Sequence, residues 1–582
     1  MQIFKKLGWF FKEEKKAYTL GIISLILVAL LQVITPRMIG MIVDAINIGT
    51  LTSSRLWKMV GIIVVAGIGQ YALRYVWRTN IWGSAARLEK RLRKNLFHHF
   101  TRMDQIFFQT YRTGDLMAHA TNDLNAIQMV AGAGILTLVD SLLNGGVTII
   151  AMLLIDWRLT LIVLLPLPLL GLTSRKLGSK LHTAFRDSQA AFSTINDKVQ
   201  ESISGIKVIK TFGQEAEDIV DFETKVDEAT VKINRVNFLD SLFDPIITFI
   251  IGLSYAVTIL AGGYFVMNEF ISIGEMVAFF GYITMLVWPM FAIGRLFNIL
   301  ERGSASYDRV QELLLEKSTI IESPTAIQTP AKGDVVIDIA QFSYHDEDTP
   351  TLENIDIHLK RGETLGIVGK TGAGKTTLLK LLMREYDDFD GKILFGDYEL
   401  KDYSLDALLN TIGYVAQDNF LFSMTIRDNI RFAKPDATQE EVEAVAKMTA
   451  IHDDILGFPE GYDTLVGERG VSLSGGQKQR ISIARALILN PELLILDDAL
   501  SAVDAKTEEQ ILTNLKQMRQ DRTTVITAHR LSSVMHSEEI VVIEEGHISE
   551  RGTHHELVTQ HGWYAKMYEQ QQLASKIEGG GI

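Results

Sequence analysis

The residues with the plainest chemistry lie between 369 and 377. Gly369-Lys370-Thr371-Gly372-Ala373-Gly374-Lys375-Thr376 sets two glycines around four intervening positions, then lysine and threonine, with Thr377 next. An apolar run, TLGIV, precedes it and a helix-like run, TLLKLLM, follows. In that context glycines let backbone N–H groups turn inward around phosphate oxygens, and the helix start adds the positive end of its dipole. Lys375 is then placed to reach the β- and γ-phosphates of a nucleotide, and Thr376 to set its hydroxyl on Mg²⁺. Further on the chain reads LLILDDALSAVDA, four apolar residues running into Asp497 and Asp498. A strand that ends in a carboxylate supplies the hard oxygen that Mg²⁺ prefers beside a nucleotide. These two motifs together imply binding of ATP with Mg²⁺.

A second glycine-rich motif, Leu473-Ser474-Gly475-Gly476-Gln477, leads into the helical pattern KQRISIARAL, and ITAHR places His529 beyond Asp497. Taken in this order, the motifs make the chain similar to ABC transporters, and specifically to an exporter half that fuses six membrane spans to one nucleotide-binding domain. The resemblance covers essentially the whole chain. It implies roles residue by residue. Tyr344 stacks on adenine. Gly369, Thr371, Gly372, Gly374, Lys375, Thr376 and Thr377 hold the phosphates. Thr376, Gln417 and Asp497 hold Mg²⁺, with Gln417 also on the attacking water. Asp498 and His529 act in hydrolysis, His529 as the switch that contacts the γ-phosphate. Glu468 lies in a segment that touches the partner's membrane loops, and Asp504 in a loop that crosses to the opposite subunit. Two such domains meet head to tail, so Ser474, Gly475, Gly476 and Gln477 close on the partner's ATP. One chain carries one of each half-site, and a dimer is therefore expected.

The departure from the family pattern is Asp498. The residue after the Mg²⁺-binding aspartate is normally a glutamate that orients water. Aspartate is one methylene shorter, so its carboxylate stops about 1.5 Å short. A misplacement of about 1 Å can cost on the order of a hundredfold in rate. General-base help is itself worth roughly a hundred- to ten-thousand-fold. The site carrying Asp498 is thus expected to bind ATP and turn it over slowly. The pattern is similar to one subunit of the heterodimeric bacterial multidrug exporters, whose partner brings the catalytic glutamate.

Elements must position these residues. The chain has 582 residues, 47% of them hydrophobic, a net charge of -13 and no cysteine. Its length admits several domains, and the lack of cysteine excludes disulfides, thiolate zinc sites and cysteine nucleophiles. The acidic balance, without basic tracts interleaved with aromatics, argues against nucleic acid as a partner. Six apolar stretches stand at about 18–36, 59–77, 133–155, 159–175, 246–267 and 276–295. They predict a membrane domain over 1–300 in contact with the lipid bilayer. The fourth contains Pro166 and Pro168, which a membrane helix tolerates better than a soluble one. Arg87, Lys90, Arg91, Arg93 and Lys94 lie in one long loop, and Arg175, Lys176, Lys180, Lys207 and Lys210 in another. The positive-inside rule then puts both loops and both chain ends in the cytoplasm of a multi-pass cell-membrane protein. The N-terminal MQIFKKLGWFFKEEKKAYTL has no small-residue cleavage site and reads as an amphipathic cytosolic segment.

A polar stretch with Pro324 and Pro330 predicts a linker over 301–333. Strand-like runs alternating with helical patterns predict an α/β nucleotide-binding domain over 334–571, followed by a flexible tail over 572–582. The loop tips that would couple the two domains are expected at about 110–127 and 202–218. Asp140 is expected either to pair with Arg74 within the membrane domain, the reading favoured, or to attract cationic amphiphiles. Phe279, Phe280, Tyr282, Trp288 and Phe291 would either wall a site for flat apolar compounds or pack against neighbouring helices or lipid. The function expected is ATP-driven export of hydrophobic or amphipathic compounds by a heterodimer. A homodimeric exporter, a lipid flippase and an ATP-binding regulatory subunit are the alternatives.

Overall fold

The computed structural model describes residues 2–166, 168–344, 349–467 and 473–579. It divides into two compact units, one of residues 1–103 and 110–316, the other of 104–109 and 317–582.

The first unit is helical. Its main helices are α1 (Lys15–Asn47), α2 (Ser53–Phe100), α3 (Thr113–Ile155), α4 (Trp157–Leu164), α5 (Pro168–Ser204), α6 (Ile206–Phe212), α7 (Glu215–Ser241), α8 (Phe243–Met267) and α9 (Ile273–Leu315). Four helical stretches, Lys15–Asn47, Ser53–Phe100, Thr113–Ile155 and Glu215–Met267, are long and apolar enough to cross a membrane. Two further apolar helices are shorter, Trp157–Leu170 and Ile273–Pro289. Five of the six expected apolar stretches fall within single helices, and the fourth is shared by α4, to Leu164, and α5, from Pro168, with Leu167 between them outside the described residues. Pro36 and Pro289 are carried inside α1 and α9. Several of these helices extend well beyond their apolar windows, carrying the charged residues of the long loops. Thr52 caps α2 by accepting from Arg55, and Ser272 with Glu275 forms a capping box on α9.

Three expectations are corrected by these helices. Residues 301–315 are the end of α9 and not linker, since the polar residues there alternate with buried Ser306, Val310 and Leu313. The last helix, α13 (Trp563–Gly579), runs through the stretch expected to be a flexible tail. Arg74 and Asp140 make no ion pair within 4.0 Å. Asp140 instead accepts from the Asn144 amide at 2.6 Å, and both charged residues line a cavity of about 970 Å³. The aromatic wall is also altered. Phe279 and Tyr282 are fully buried against neighbouring helices, while Trp288 lines that cavity. The Phe291 side chain lies outside the described residues.

The second unit holds two sheets. The first is antiparallel in the order β2-β1-β4-β5, built from β1 (Val335–Phe342), β2 (Leu352–Leu359), β4 (Asp390–Phe395) and β5 (Tyr398–Glu399). The second has the order β10-β9-β3-β8-β7-β6. Its strands are β3 (Thr364–Val368), β6 (Ile412–Val415), β7 (Leu493–Asp497), β8 (Thr523–Thr527), β9 (Glu539–Glu544) and β10 (His547–Gly552). All pair in parallel except β10 with β9. Strands of a parallel sheet are buried on both faces, which explains the unbroken apolar run of β7. Leu494, Leu496 and Ile526 enter one core, and Leu493, Ile495 and Val525 the other.

Residues 104–109 fold with this second unit. Asp104 accepts from the hydroxyls of Ser318 at 3.0 Å and Thr319 at 2.9 Å, and Gln109 donates to the Tyr386 hydroxyl at 2.9 Å. Phe107 is buried and Ile106 packs on the core beneath β1–β4. These residues, just before the coupling tip expected at 110–127, thus belong to the second unit. Buried Leu116, Leu124 and Ile127 belong to the helical unit. At the second expected tip, α6 lies between Gly205 and Gly213 and leaves Val208 and Phe212 exposed.

Candidate functional site

Glycine at three positions shapes the loop between β3 and α10 (Lys375–Leu382). Gly372 and Gly374 have φ of +82° and +103°, in the left-handed region that favours glycine. At Gly369 and Gly374 a Cβ would meet the Ile543 carbonyl at 2.1 Å and the Leu352 side chain at 2.6 Å. The loop is thereby held close against β9 and β2. Lys375 is buried and donates to the carbonyls of Gly369 at 2.8 Å and Lys370 at 2.9 Å. Burial lowers its ammonium from the ordinary lysine value, and the carboxylates of Asp497 and Asp498 oppose that shift. Thr371 is exposed on the loop. Thr377 is turned inward, its hydroxyl 2.9 Å from that of Tyr344. The Tyr344 ring packs edge-on against Phe342 and Tyr386.

The register of β7 carries Asp497 to the end of the sheet beside β8, opposite Thr527. Its carboxylate accepts from Thr527 at 2.6 Å and from Thr376 at 3.1 Å. A threonine hydroxyl and a carboxylate held this close form a hard-oxygen pair that fits Mg²⁺, an ion that keeps several waters of its own. Gln417 follows β6, which pairs with β7 up to Val415 opposite Leu496. It is exposed at the same sheet end, and its side chain makes no hydrogen bond to Thr376, Asp497 or Asp498 among the described residues. Sequence reasoning missed Tyr414 on β6. Burial pushes its phenol up, and the adjacent Asp497 carboxylate adds to the shift.

Asp498 adopts a left-handed backbone, φ +47°. Its N–H donates to the carbonyl and the hydroxyl of Thr527, both at 3.1 Å, and its carbonyl accepts from Ser501 at 2.9 Å. This fixes the chain where it leaves β7. The carboxylate turns back onto the backbone N–H of His529, at 3.4 Å. His529 is exposed just past β8. A second residue that sequence reasoning missed, Gln571, holds the same loop. Its amide donates to the His529 carbonyl and accepts from the Leu531 N–H, each at 2.9 Å. No motif marks it; only its place on α13 does.

Ser474 is the cap of α11 (Gly475–Leu487). Its hydroxyl accepts from the Gln477 N–H while Gln477 accepts from the Ser474 N–H, and Gln477 also donates to Asp454. Gly475 and Gly476 lie against Ala502, where a Cβ on Gly476 would meet the Ala502 carbonyl at 2.9 Å. Gln479 bridges to the same segment, accepting from the Ala502 N–H at 2.8 Å. Asp504 then caps α12 (Ala505–Met518). The structure therefore gathers two groups. One is the β3 loop with Asp497, Asp498 and His529. The other is Ser474–Gln477 with the segment before Asp504. No hydrogen bond or ion pair joins Ser474–Gln477 to Gly369–Thr377 among the described residues. Glu468 lies outside them.

Comparison with known proteins agrees with this layout. The ABC transporter transmembrane region matches residues 18–290, and the ABC transporter domain matches 352–501. The multidrug resistance-like ATP-binding protein MdlA of Escherichia coli is 43% identical over 99% of this chain and 98% of its own length. The probable multidrug resistance ABC transporter ATP-binding/permease protein YheI of Bacillus subtilis is 42% identical over 99% of each. Among solved structures, a bacterial Atm1-family ABC exporter with ATP bound aligns with a TM-score of 0.78 at 25% identity, covering 96% of this chain and 99% of that one.

Proposed function

This chain belongs to the ABC transporters, as an exporter half joining a transmembrane region to its ATPase domain, and from that premise we propose that it works in a heterodimeric multidrug exporter as the subunit with the slow ATP site. ATP hydrolysis coupled to transport is the activity of the family, and the multidrug resistance named for its relatives, with the apolar spans of this chain, supports hydrophobic or amphipathic drugs as cargo. Both chain ends lie in the cytoplasm of the cell membrane. In this reading Gly369–Thr377 and Tyr344 bind ATP on this chain. Thr376, Gln417 and Asp497 hold Mg²⁺, which draws charge from the phosphates when bound. Ser474–Gln477 and Asp504 face the partner's nucleotide. ATP closes the two nucleotide domains and turns the spans outward, which requires ATP and cargo to favour different states.

The observation that carries the asymmetry is Asp498. Its carboxylate is one methylene shorter than the family's glutamate and accepts from the His529 backbone. Hydrolysis is assigned to the partner's site, to which this chain lends its intact LSGGQ. The test is steady-state ATPase of the co-purified pair. Asp498→Asn is expected to lower it modestly, and Ser474→Ala to remove most of it. Complete loss with Asp498→Asn would make the two sites equivalent and favour a homodimeric exporter.

A further inference from the structure

The His529 loop is held from two sides, and only one of them belongs to the motifs. On the motif side Asp498 accepts from the His529 N–H. On the other side stands α13. Tyr564 is fully buried in the core, and Trp563, Met567 and Tyr568 pack against it. Residues 564, 567, 568 and 571 recur at helical spacing, so Gln571 is the next member of the buried face and its polar exception. Its amide spans the loop as a strand would, taking the 529 carbonyl and the 531 N–H, each at 2.9 Å. The Arg530 guanidinium between them donates to the Val503 carbonyl at 3.2 Å, beside Asp504. A polar side chain on an apolar face is retained only where it finds partners, and here one partner is the switch histidine's own carbonyl and the other the N–H two residues on.

We infer that Gln571 is a positioning residue for His529, fixing the loop backbone so that the imidazole is presented to the γ-phosphate. The inference rests on the switch role read for His529. It also makes the C-terminal helix part of the ATPase site: loss of the Gln571 contact frees the loop without touching any nucleotide-binding motif.

The test follows 8-azido-ATP photolabelled on this chain in the intact complex, reading its conversion to the diphosphate at this chain's own site, slow or fast. Gln571→Leu preserves the packing volume and removes both hydrogen bonds. It is expected to slow conversion about tenfold, the size set by two neutral hydrogen bonds, with the extent of labelling and Tm unchanged. Gln571→Glu keeps the acceptor for Leu531 and sets a carboxylate against the 529 carbonyl, and is expected to slow it as well; it serves if the leucine variant does not fold. In a His529→Ala background, Gln571→Leu is expected to add nothing, because it acts through that residue. Slow conversion by His529→Ala with normal conversion by both Gln571 variants would overturn the inference and leave His529 standing. Additive losses, or a fall in Tm that tracks the lost activity, would overturn it too, as a packing role. Normal conversion by His529→Ala would remove the switch reading and the inference together.

Discussion

At the scale of residues, two side chains decide what the nucleotide site does. Lys375 is held on the carbonyls of its own loop, so its charge is already placed where phosphates arrive. Lys375→Ala is expected to cut nucleotide labelling of this chain at least about tenfold, a loss of about 1.4 kcal/mol. Lys375→Arg is expected to restore little, because a planar fork does not replace a compact ammonium in so close a loop. Labelling at the native level in Lys375→Ala would remove the P-loop assignment. Asp498→Glu is the converse test. The longer side chain restores reach toward the water, and own-site conversion is expected to rise by about tenfold or more. The left-handed backbone at 498 suits aspartate better than glutamate, at a cost of about 1 kcal/mol, so the variant is expected to lower Tm slightly. An unchanged conversion rate would show that reach is not what limits this site. These motif residues were legible because phosphate and Mg²⁺ binding demand fixed residue types at fixed spacing. Gln571 and Tyr414 were not, because strand and helix placement, which no local pattern encodes, brings them beside His529 and Asp497.

At the scale of elements, the signature helix α11 is held by a charged contact outside its motif. Asp454 accepts from Gln477 at 3.1 Å and from Arg480 at 2.9 Å. Burial raises this carboxyl, but the Gln477 and Arg480 contacts pull it below the usual carboxylate value overall. A group whose folded pKa is depressed stabilises the fold above its unfolded pKa and loses that contribution as pH falls through the folded value. Asp454→Asn is therefore expected to lower stability of the nucleotide unit by about 1–3 kcal/mol at neutral pH. The difference from wild type is expected to begin shrinking as pH falls below about 4, the unfolded-state value, and to be lost as pH passes the native carboxyl's own lower value. Thermal unfolding across pH checks this, and a Tm difference that stays constant into acid would refute the linkage. The strands were easy to foresee, since β7 is an apolar run and β8 is β-branched throughout. Element ends were harder. Residues 301–315 look polar in sequence, yet Ser306, Val310 and Leu313 are spaced to bury one face of α9. Pro36 and Pro289 sit inside α1 and α9, whereas Pro168 opens α5. The sequence context of a proline shows the lost hydrogen bond but not whether neighbours replace it.

At the scale of the whole molecule, the question is what completes each ATP site. Within the nucleotide unit the Ser474 group and the Gly369–Thr377 loop share no hydrogen bond or ion pair among the described residues, so the family's head-to-tail pairing requires a second chain. The exposed Val208 and Phe212 of α6 fit the same expectation, as apolar residues left for a partner's nucleotide domain. The chain has no cysteine, so introduced thiols report contacts without background. Thr371 and Ser474 are both exposed, one on each half-site. A Thr371→Cys/Ser474→Cys double variant expressed alone is expected to give no ATP-dependent covalent dimer under mild oxidation, because a heterodimer never sets two copies of this chain face to face. Co-expressed with a half-transporter that carries glutamate after its Mg²⁺-binding aspartate and a cysteine in its own P-loop, Ser474→Cys is expected to cross-link in ATP and not in its absence. A disulfide needs Cα atoms within about 7 Å, so the bond forms only when the sites have closed. A band at twice the chain mass from the double variant alone, appearing with ATP, would establish a homodimer. The slow site at Asp498 would then be present twice, and any brisk ATPase of that homodimer would have to come from Asp498 itself.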